Sequence, residues 1–524
     1  MKAVLVALNS KYVQSNLAVY ALRTSCRNQG IECEIYQSNV NESIEAHLYE
    51  IVRKKPDVVG FSCYIWNIAV VAKLMEDLKK LMPDLIIVLG GPEVSEAPEE
   101  ALEKYKPDYV VQGPGEAAWP ELLFSIKQGI PPGERVLSRP VSIAETPFPY
   151  LDEDDLENHL VYYEASRGCQ NRCAYCLSSV NRKLEFRPLE LVFADLKKLW
   201  DKGVRQVKFV DRTFNLHRER TLALWKHLLE NYPTGNFHFE IAADRISEEE
   251  LAFLKTVPPG LFQMEIGVQS TYPPTLEAIR RKTDTEKLLE RIAQLSQDTD
   301  VLVYADLIAG LPHESYERFL QSFKDVMRAR PNRLHLGFLK LLPGTYLREH
   351  AHDLGIVYSQ YPPYEVLKTK DISFLELNEL KGLDYVVDRY YNSDLFQETF
   401  RAVPDAGEFL LCLTARLKAT GHLFTRMKLE SFYQILYKEF PELGDFVLLD
   451  FLKQGLSRQL PSWYRGDVEV AADIERPKEL PEKNPVVFLH LSDDLRRVFG
   501  AETVALVMGM PHIDRRCQEI VKIG

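Results

Sequence analysis

Two successive runs of short, β-rich apolar segments, separated by stretches with apolar residues at helical spacing, constrain this chain more than any other feature. The first run is Ala3–Leu8, Cys33–Tyr36, Asp57–Ser62, Leu85–Leu89 and Tyr109–Gln112. Between the strands lie patterns such as Val70–Leu78, amphipathic at helical period. Alternation of this kind over residues 1–130 predicts a doubly wound parallel α/β sheet, with a ligand crevice at the carboxyl ends of its strands. The second run is Val161–Ser166, Gln206–Val210, Phe237–Ile241, Phe262–Gly267, Val301–Ile308 and Leu334–Leu339. Six such units over residues 159–369 predict a partial (β/α)6 barrel, again with its chemistry at the strands' carboxyl ends. Residues 131–158 carry Pro131, Pro132, Pro140, Pro147 and Pro149 and then the acidic run Asp152–Asp155, the composition of an extended linker. Beyond 370 the alternation stops. Residues 370–524 read as mainly helical, for example Glu430–Phe440 and Phe446–Gly455, with a break at Pro477–Pro485 and a terminal strand pair.

Charge narrows the classes of partner. The chain of 524 residues has 64 Lys and Arg against 76 Asp and Glu, a formal charge of −12. Residues 1–150, 151–370 and 371–524 each carry more acidic than basic residues, so the footprint of a nucleic-acid binder is missing. The first apolar run is too short to span a membrane, and no later run reaches ~18 uncharged apolar residues. The chain reads as cytosolic, with no membrane partner. Eight cysteines are sparse for this length, and three of them fall together at Cys169, Cys173 and Cys176. Clustering of that kind points to a metal site in a reducing compartment and away from a disulfide framework.

The clustered cysteines follow a strand directly, in Ser166-Arg167-Gly168-Cys169-Gln170-Asn171-Arg172-Cys173-Ala174-Tyr175-Cys176. Three thiolates spaced CxxxCxxC can hold three irons of a cubane cluster and leave the fourth iron open. A structural zinc ion is the alternative, and it needs a fourth Cys or His from elsewhere. In the first run, the strand-end loops are Asn9–Tyr12, Cys63-Tyr64-Ile65-Trp66-Asn67, Gly90-Gly91-Pro92-Glu93 and Gly113-Pro114-Gly115-Glu116. Glycines there let backbone approach a bulky ligand closely. No GxGxxG follows the first strand, which counts against NAD. His47, the one histidine before residue 150, sits in an expected helix between Glu45 and Glu50 and reads as a surface residue.

CxxxCxxC with an aromatic before its last cysteine, after the first strand of a β/α repeat, resembles the signature of radical S-adenosylmethionine (SAM) enzymes. Later strand ends resemble further motifs of that superfamily in the expected order: Phe209–Phe214, Glu265–Ser270, Asp306–Pro312 and Leu342–Thr345. The resemblance implies that Cys169, Cys173 and Cys176 bind a 4Fe–4S cluster whose open iron is chelated by SAM. It also implies that reductive cleavage of SAM yields a radical that takes hydrogen from a substrate. Asp211, Glu240, Glu265 and Gln269 are the strand-end candidates for holding SAM, together with Ser270 and Asp306 from the same motifs. Tyr175 is expected beside the cluster, offering backbone contacts to adenine.

A doubly wound domain ahead of such a barrel resembles the cobalamin-binding radical SAM class, within the group related to anaerobic magnesium-protoporphyrin monomethyl ester cyclase. The implied first domain is Rossmann-like and binds cobalamin through Gly90, Gly91, Pro92, Glu93, Gly113, Gly115 and Glu116. The DxHxxG motif that ligates cobalt elsewhere is absent, so cobalt is expected without a histidine, its lower face covered by Tyr64 and Trp66. Methylation of an unactivated carbon of a small molecule is the implied chemistry, with flavodoxin or ferredoxin as electron donor. Radical cyclisation or rearrangement is the alternative. A tRNA methylthiotransferase shares the barrel, but Cys26, Cys33 and Cys63 fit its additional cluster poorly. A non-catalytic cobalamin or SAM sensor would not need the intact cysteines. The last 150 or so residues resemble an uncharacterised domain appended to this class.

Overall fold

The computed structural model describes all residues except 12–13, 158, 180–182, 456, 458, 472–473, 475–485, 509–516 and 524. The expected break at Pro477–Pro485 and residue Tyr12 lie outside the described residues. The chain forms two compact units: Met1–Asn332 with Leu336–Leu377, and Arg333–His335 with Asn378–Gly524.

The first unit contains both parallel sheets. Strands β1 (Ala3–Asn9), β2 (Cys33–Asn39), β3 (Val58–Ser62), β4 (Ile86–Gly90), β5 (Tyr109–Val111) and β6 (Val136–Leu137) lie in the order β2-β1-β3-β4-β5-β6, all parallel. Helices α1 (Leu17–Asn28), α2 (Ile44–Arg53), α3 (Ile68–Leu81), α4 (Pro92–Ser95), α5 (Pro98–Tyr105) and α6 (Ala118–Lys127) connect them. Every residue of β1 is buried, because helices cover both faces of the sheet. Val4, Val6 and Leu8 pack with Val71, Leu74 and Leu78, whereas Ala3, Leu5 and Ala7 pack with Val19, Trp119 and Leu122.

Two expectations change here. β6 falls in the segment read as a linker: the carbonyls of Arg135 and Leu137 accept from Val110 N and Gln112 N, so the chain after α6 adds a strand before it extends. His47 is buried, not on the surface. Ile44, His47 and Ile51 share one face of α2, and the Tyr36 hydroxyl meets His47 Nδ1 at 2.9 Å.

The second sheet is built from β7 (Val161–Tyr163), β10 (Gln206–Phe209), β11 (Asn236–Ile241), β12 (Phe262–Gln269), β13 (Leu302–Ala309) and β14 (Arg333–Phe338), in that spatial order, with β7 to β13 parallel. A hairpin of β8 (Ser166–Arg167) and β9 (Glu185–Phe186) stands after β7. Burial alternates strictly along β11, β12 and β13, as in a sheet with helices on one face and a lumen on the other. Phe262, Met264, Ile266 and Val268 are buried, and the alternate residues Gln263, Glu265, Gly267 and Gln269 share the half-buried face. Phe209, Phe239, Phe262, Phe214 and Trp225 pack ring against ring in the core. A short antiparallel pair, β15 (Val357–Tyr358) and β16 (Val366–Lys368), completes this unit.

The second unit is helical over Gln397–Ala402, Ala406–Ala419, Leu429–Glu439 and Gly444–Lys453. Where one strand pair was expected, four antiparallel strands form: β17 (Glu469–Val470), β18 (Val486–His490), β19 (Thr503–Met508) and β20 (Cys517–Ile523). Among the described residues, no helix is long and apolar enough to cross a membrane.

Candidate functional site

The strand order of the first sheet reverses between β1 and β3, and a doubly wound sheet opens its crevice at that point. The loop after β3 bridges it. Trp66 Nε1 and Asn67 Nδ2 donate to the Leu8 carbonyl at 3.2 and 3.0 Å, and Tyr64 N donates to Asn67 Oδ1 at 2.8 Å. The Tyr64 and Trp66 rings stack at 4.2 Å between centroids, 11° from parallel. Cys63 turns the other way, its buried thiol joining the apolar core.

The glycine loops stand beside this pair. Gly91 has φ +101°, and a Cβ there would lie 2.6 Å from the Cys63 carbonyl oxygen, so only glycine lets the two loops meet. Pro92 opens α4, and Glu93 is buried, accepting from the Tyr364 hydroxyl. Burial pushes the Glu93 carboxyl upward in pKa. Its second oxygen has no protein partner although buried.

Tyr64, Trp66, Gly90, Gly91, Pro92, Glu93, Gly113, Gly115 and Glu116 all line one cavity of about 770 Å³. That lies within the range of about 300–1,000 Å³ typical of small-molecule sites. Apolar side chains of Leu5, Val19, Leu22, Val88 and Val111 line the same cavity. Its other walls come from the second sheet: Tyr162, Glu164, Lys208, Val210, Arg212 and Glu240. Among the described residues that line it, none is a histidine. Glycine-rich loops, apolar lining residues and an orphaned buried carboxyl oxygen fit cobalamin, whose side chains carry amide donors.

The cysteine loop leaves β8 through Gly168, which has φ +91° and sits so near the Lys183 carbonyl oxygen that a Cβ would clash with it. Cys169 and Cys173 are buried and Cys176 is half-buried. Thr213 Oγ1 lies 3.7 Å from Cys169 Sγ, and Arg281 Nη1 lies 3.9 Å from Cys173 Sγ. The loop backbone is clamped on both sides: Ala174 N donates to Ile279 O and Leu347 N donates to Ala174 O. Among the described residues, no three Cys, His, Asp or Glu side chains group as ligands of a single metal ion. Three thiols on one clamped loop beside a cationic guanidinium fit an iron–sulphur cluster.

The carboxylates on the strands divide. Glu240 lines the cavity, its pKa raised by burial against the pull of Arg212. Asp211 does not reach the cavity. It is fully buried, accepting from Ala165 N at 3.0 Å and from the Ser166 hydroxyl, and burial lifts its pKa to about 7. It braces the segment that leads to the cysteines. Glu265 is also engaged within the protein, by Lys208 Nζ at 3.0 Å and His238 Nε2 at 2.8 Å. Burial would raise its pKa, but these two partners bring it to about 2. Gln269 has φ +71° at a bulge in β12, and its buried Oε1 lacks a protein partner, which suits a SAM donor group. Asp306 is half-buried on β13 and does not line the cavity. Tyr175 is half-buried in the cysteine loop.

Ser270 is fully buried and engaged within the protein: it donates to Glu314 Oε1 at 2.6 Å, and Ser322 donates to the same oxygen at 3.0 Å. Burial raises the Glu314 pKa from 4.5 to about 7. A folded-state pKa above the unfolded value favours the protonated form. Its stabilisation is therefore complete below pH 4.5 and lost progressively as pH rises through about 7. Denaturant unfolding from pH 4.5 to 8 should show this decline, and Glu314→Gln should flatten it; an unchanged slope would refute the assignment.

Sequence reading passed over Glu164, Arg167, Lys208, Arg212 and Tyr364 as site residues. The first four stand in or beside motifs already singled out, whereas Tyr364 is 271 residues from Glu93 and had no local signal.

Comparison with known proteins agrees with this geometry. Residues 3–123 match the B12 binding domain, 163–326 the radical SAM superfamily, and 352–484 a protein family of unknown function, DUF4080. The chain is 27% identical over 318 residues to a 2-(S-pantetheinyl)-carbapenam-3-carboxylate methyltransferase of Streptantibioticus cattleyicolor, covering 52% of this chain and 45% of the relative. It is 25% identical over 268 residues to a tRNA-2-methylthio-N(6)-dimethylallyladenosine synthase of Acinetobacter baylyi, covering 47% and 54%. The chain thus spans about half the length of these curated relatives. In fold it is similar to the cobalamin-dependent SAM radical enzyme OxsB, with a TM-score of 0.61 at 15% identity over 86% of this chain and 78% of that one. The chain thus carries a B12-binding domain and a radical SAM domain, the domains that cobalamin and that SAM with a 4Fe–4S cluster serve, and in this combination it is similar to the cobalamin-binding radical SAM proteins.

Proposed function

We propose that the protein methylates an unactivated carbon of a small molecule. The observation that carries this reading is the single cavity onto which both the glycine loops of the first sheet and the lumen residues of the second open. When bound, cobalamin supplies a methyl carrier, and SAM at the cluster supplies hydrogen-atom abstraction. The residues of the chain hold and shield. The stacked Tyr64–Trp66 pair covers one side of the cavity with apolar surface, without a strong donor for a metal. Glu240, whose carboxyl burial pushes upward in pKa against the pull of Arg212, offers a hydrogen-bonding group to a ligand in the cavity. Arg212, exposed at the same wall, offers a cation to an acidic group. A small electron-transfer protein such as flavodoxin or ferredoxin serves as reductant.

A tRNA methylthiotransferase is the second reading, favoured by the relative of that name. It would need a further cluster in the first domain. Cys26 and Cys33 belong to the apolar cluster on one face of the first sheet and Cys63 to the cluster on the other, so the three cannot share one.

The test follows labelled methyl. The anaerobically reconstituted protein is given SAM, reductant and a metabolite extract of its host. Methylation should yield labelled small molecule with both S-adenosylhomocysteine and 5′-deoxyadenosine. Turnover giving 5′-deoxyadenosine alone would replace methylation with cyclisation or rearrangement, and labelled tRNA would favour the methylthiotransferase.

A further inference from the structure

The glycine loop ending at Glu116 and the segment entering the cysteine loop at Arg167 belong to different sheets, 51 residues apart in sequence. One side chain ties them. Arg167 Nη2 donates to Glu116 Oε1 at 2.7 Å, while Nε and Nη2 donate to Glu164 Oε1 and Oε2 at 3.0 and 2.7 Å. The side chains of Arg167, Glu116 and Glu164 are only 18, 10 and 23% exposed, so water screens them weakly. Glu164 alone balances the charge of Arg167. A second carboxylate brought from the other sheet adds repulsion between the two acids, which a contact serving charge balance alone would not need.

The backbone on the Arg167 side has no slack. Asp211 holds Ala165 N and the Ser166 hydroxyl, Arg167 is paired with Glu185 in the hairpin, and Gly168 is pressed against the Lys183 carbonyl. Cys169 follows immediately. A displacement of Glu116 is therefore passed to the first cluster cysteine through a short, braced path. Arg167 also lines the shared cavity, and its Nη1 is buried without a protein partner.

We infer that Arg167 is a positioning residue, whose ion pair with Glu116 sets the placement of the glycine loop relative to the cysteine loop and so of the cofactors that the two loops hold. This rests on the cofactor roles given to those loops under the proposed function. Glu116, expected to touch cobalamin, acts instead through Arg167.

Two measurements on the full-length chain test it, with Glu116→Gln and Arg167→Lys as conservative variants and Glu164→Gln as a control that keeps the Arg167–Glu116 contact. The first is amide hydrogen exchange without cofactors. Glu116→Gln should raise exchange in residues 165–173 about tenfold, the equivalent of losing one charge-assisted contact, and Arg167→Lys should raise it in residues 112–117 by a similar factor. The second is the dipolar coupling between the paramagnetic reduced cluster and paramagnetic cobalt in the loaded protein. It should be narrow in the unaltered chain and broadened in both variants at unchanged cluster and cobalamin content, with Glu164→Gln affecting it less. Unchanged exchange across the two loops, or unchanged coupling with both cofactors retained, overturns the inference. So does loss of cobalamin from Glu116→Gln with unchanged exchange at 165–173, which would make Glu116 a simple ligand contact. If the unaltered chain takes up neither cofactor, the functional reading falls and the cofactor placement with it, while the exchange arm still reads the tie between the loops.

Discussion

Alanine at Cys169, Cys173 and Cys176 together should abolish iron binding and reductive SAM cleavage. Anaerobic reconstitution of the unaltered protein should give about four irons and four sulphides per chain, the stoichiometry of one cubane. The variant should hold none, and 5′-deoxyadenosine formation should fall to that of a protein-free control. The loss should not come from unfolding, because the loop backbone is held by Ala174 N to Ile279 O and Leu347 N to Ala174 O, which no thiol supports. Far-ultraviolet circular dichroism should therefore be unchanged. Cys63→Ala and Cys412→Ala are the controls: one thiol lies in an apolar core and the other is exposed on the helix Ala406–Ala419. Retained SAM cleavage in the triple variant, or iron lost from either control, would refute the assignment.

Arg187→Met is expected to be the most damaging substitution for stability around the cavity. Arg187 Nε donates to Asp195 Oδ2 at 2.8 Å, and Nη1 donates to the carbonyls of Ile143 and Thr146 at 3.0 and 2.8 Å. Both side chains are almost fully buried, and Tyr163 Oη also donates to Asp195. Taking away the cation leaves the buried Asp195 carboxylate with only the Tyr163 hydroxyl and the more distant Lys198 Nζ at 3.9 Å, and two carbonyls without their donor, which costs about 3–5 kcal/mol for a buried pair broken on one side. Replacing both partners, in Arg187→Met with Asp195→Leu, should recover part of that loss, since no buried charge then remains and Lys198 is exposed to water. Denaturant unfolding of the unit with the two parallel sheets measures both. A loss below about 1 kcal/mol in the single variant, the size seen for exposed pairs, would show that water reaches the site.

Local chemistry explains what could be read in advance. Strands such as Ala3–Asn9 and Phe262–Gln269 announce themselves because a parallel sheet buried by helices needs apolar residues in consecutive or alternate positions. Three cysteines within eight residues need no distant partner to be read as a ligand set. The glycines of Gly90–Glu93 and Gly113–Glu116 stand out in the sequence because a positive φ, as at Gly91 and Gly113, favours glycine at fixed points in the chain.

Roles set by contacts across the fold were not legible. Asp211 sits in a strand-end motif, yet two donors from the neighbouring segment turn it into a brace, and Ser270 is absorbed by Glu314 and Ser322 in the same way. His47 looked exposed between two glutamates, but the phase of α2 turns it inward against Tyr36. Val136 and Leu137 looked like linker because a two-residue edge strand has no pattern of its own; its hydrogen bonds come from Tyr109–Val111 and its flank.

From its sequence alone, the chain determined two β/α domains, a three-thiol loop and glycine-rich strand ends, since each of these depends on residues close together in the chain. Only the tertiary structure decided that both sets of strand ends open on one cavity, that Glu240 lines it while Asp211 and Ser270 do not, and that Arg167 meets Glu116. Hydrogen bonds and burial between residues tens to hundreds of positions apart leave no periodicity for a sequence to display.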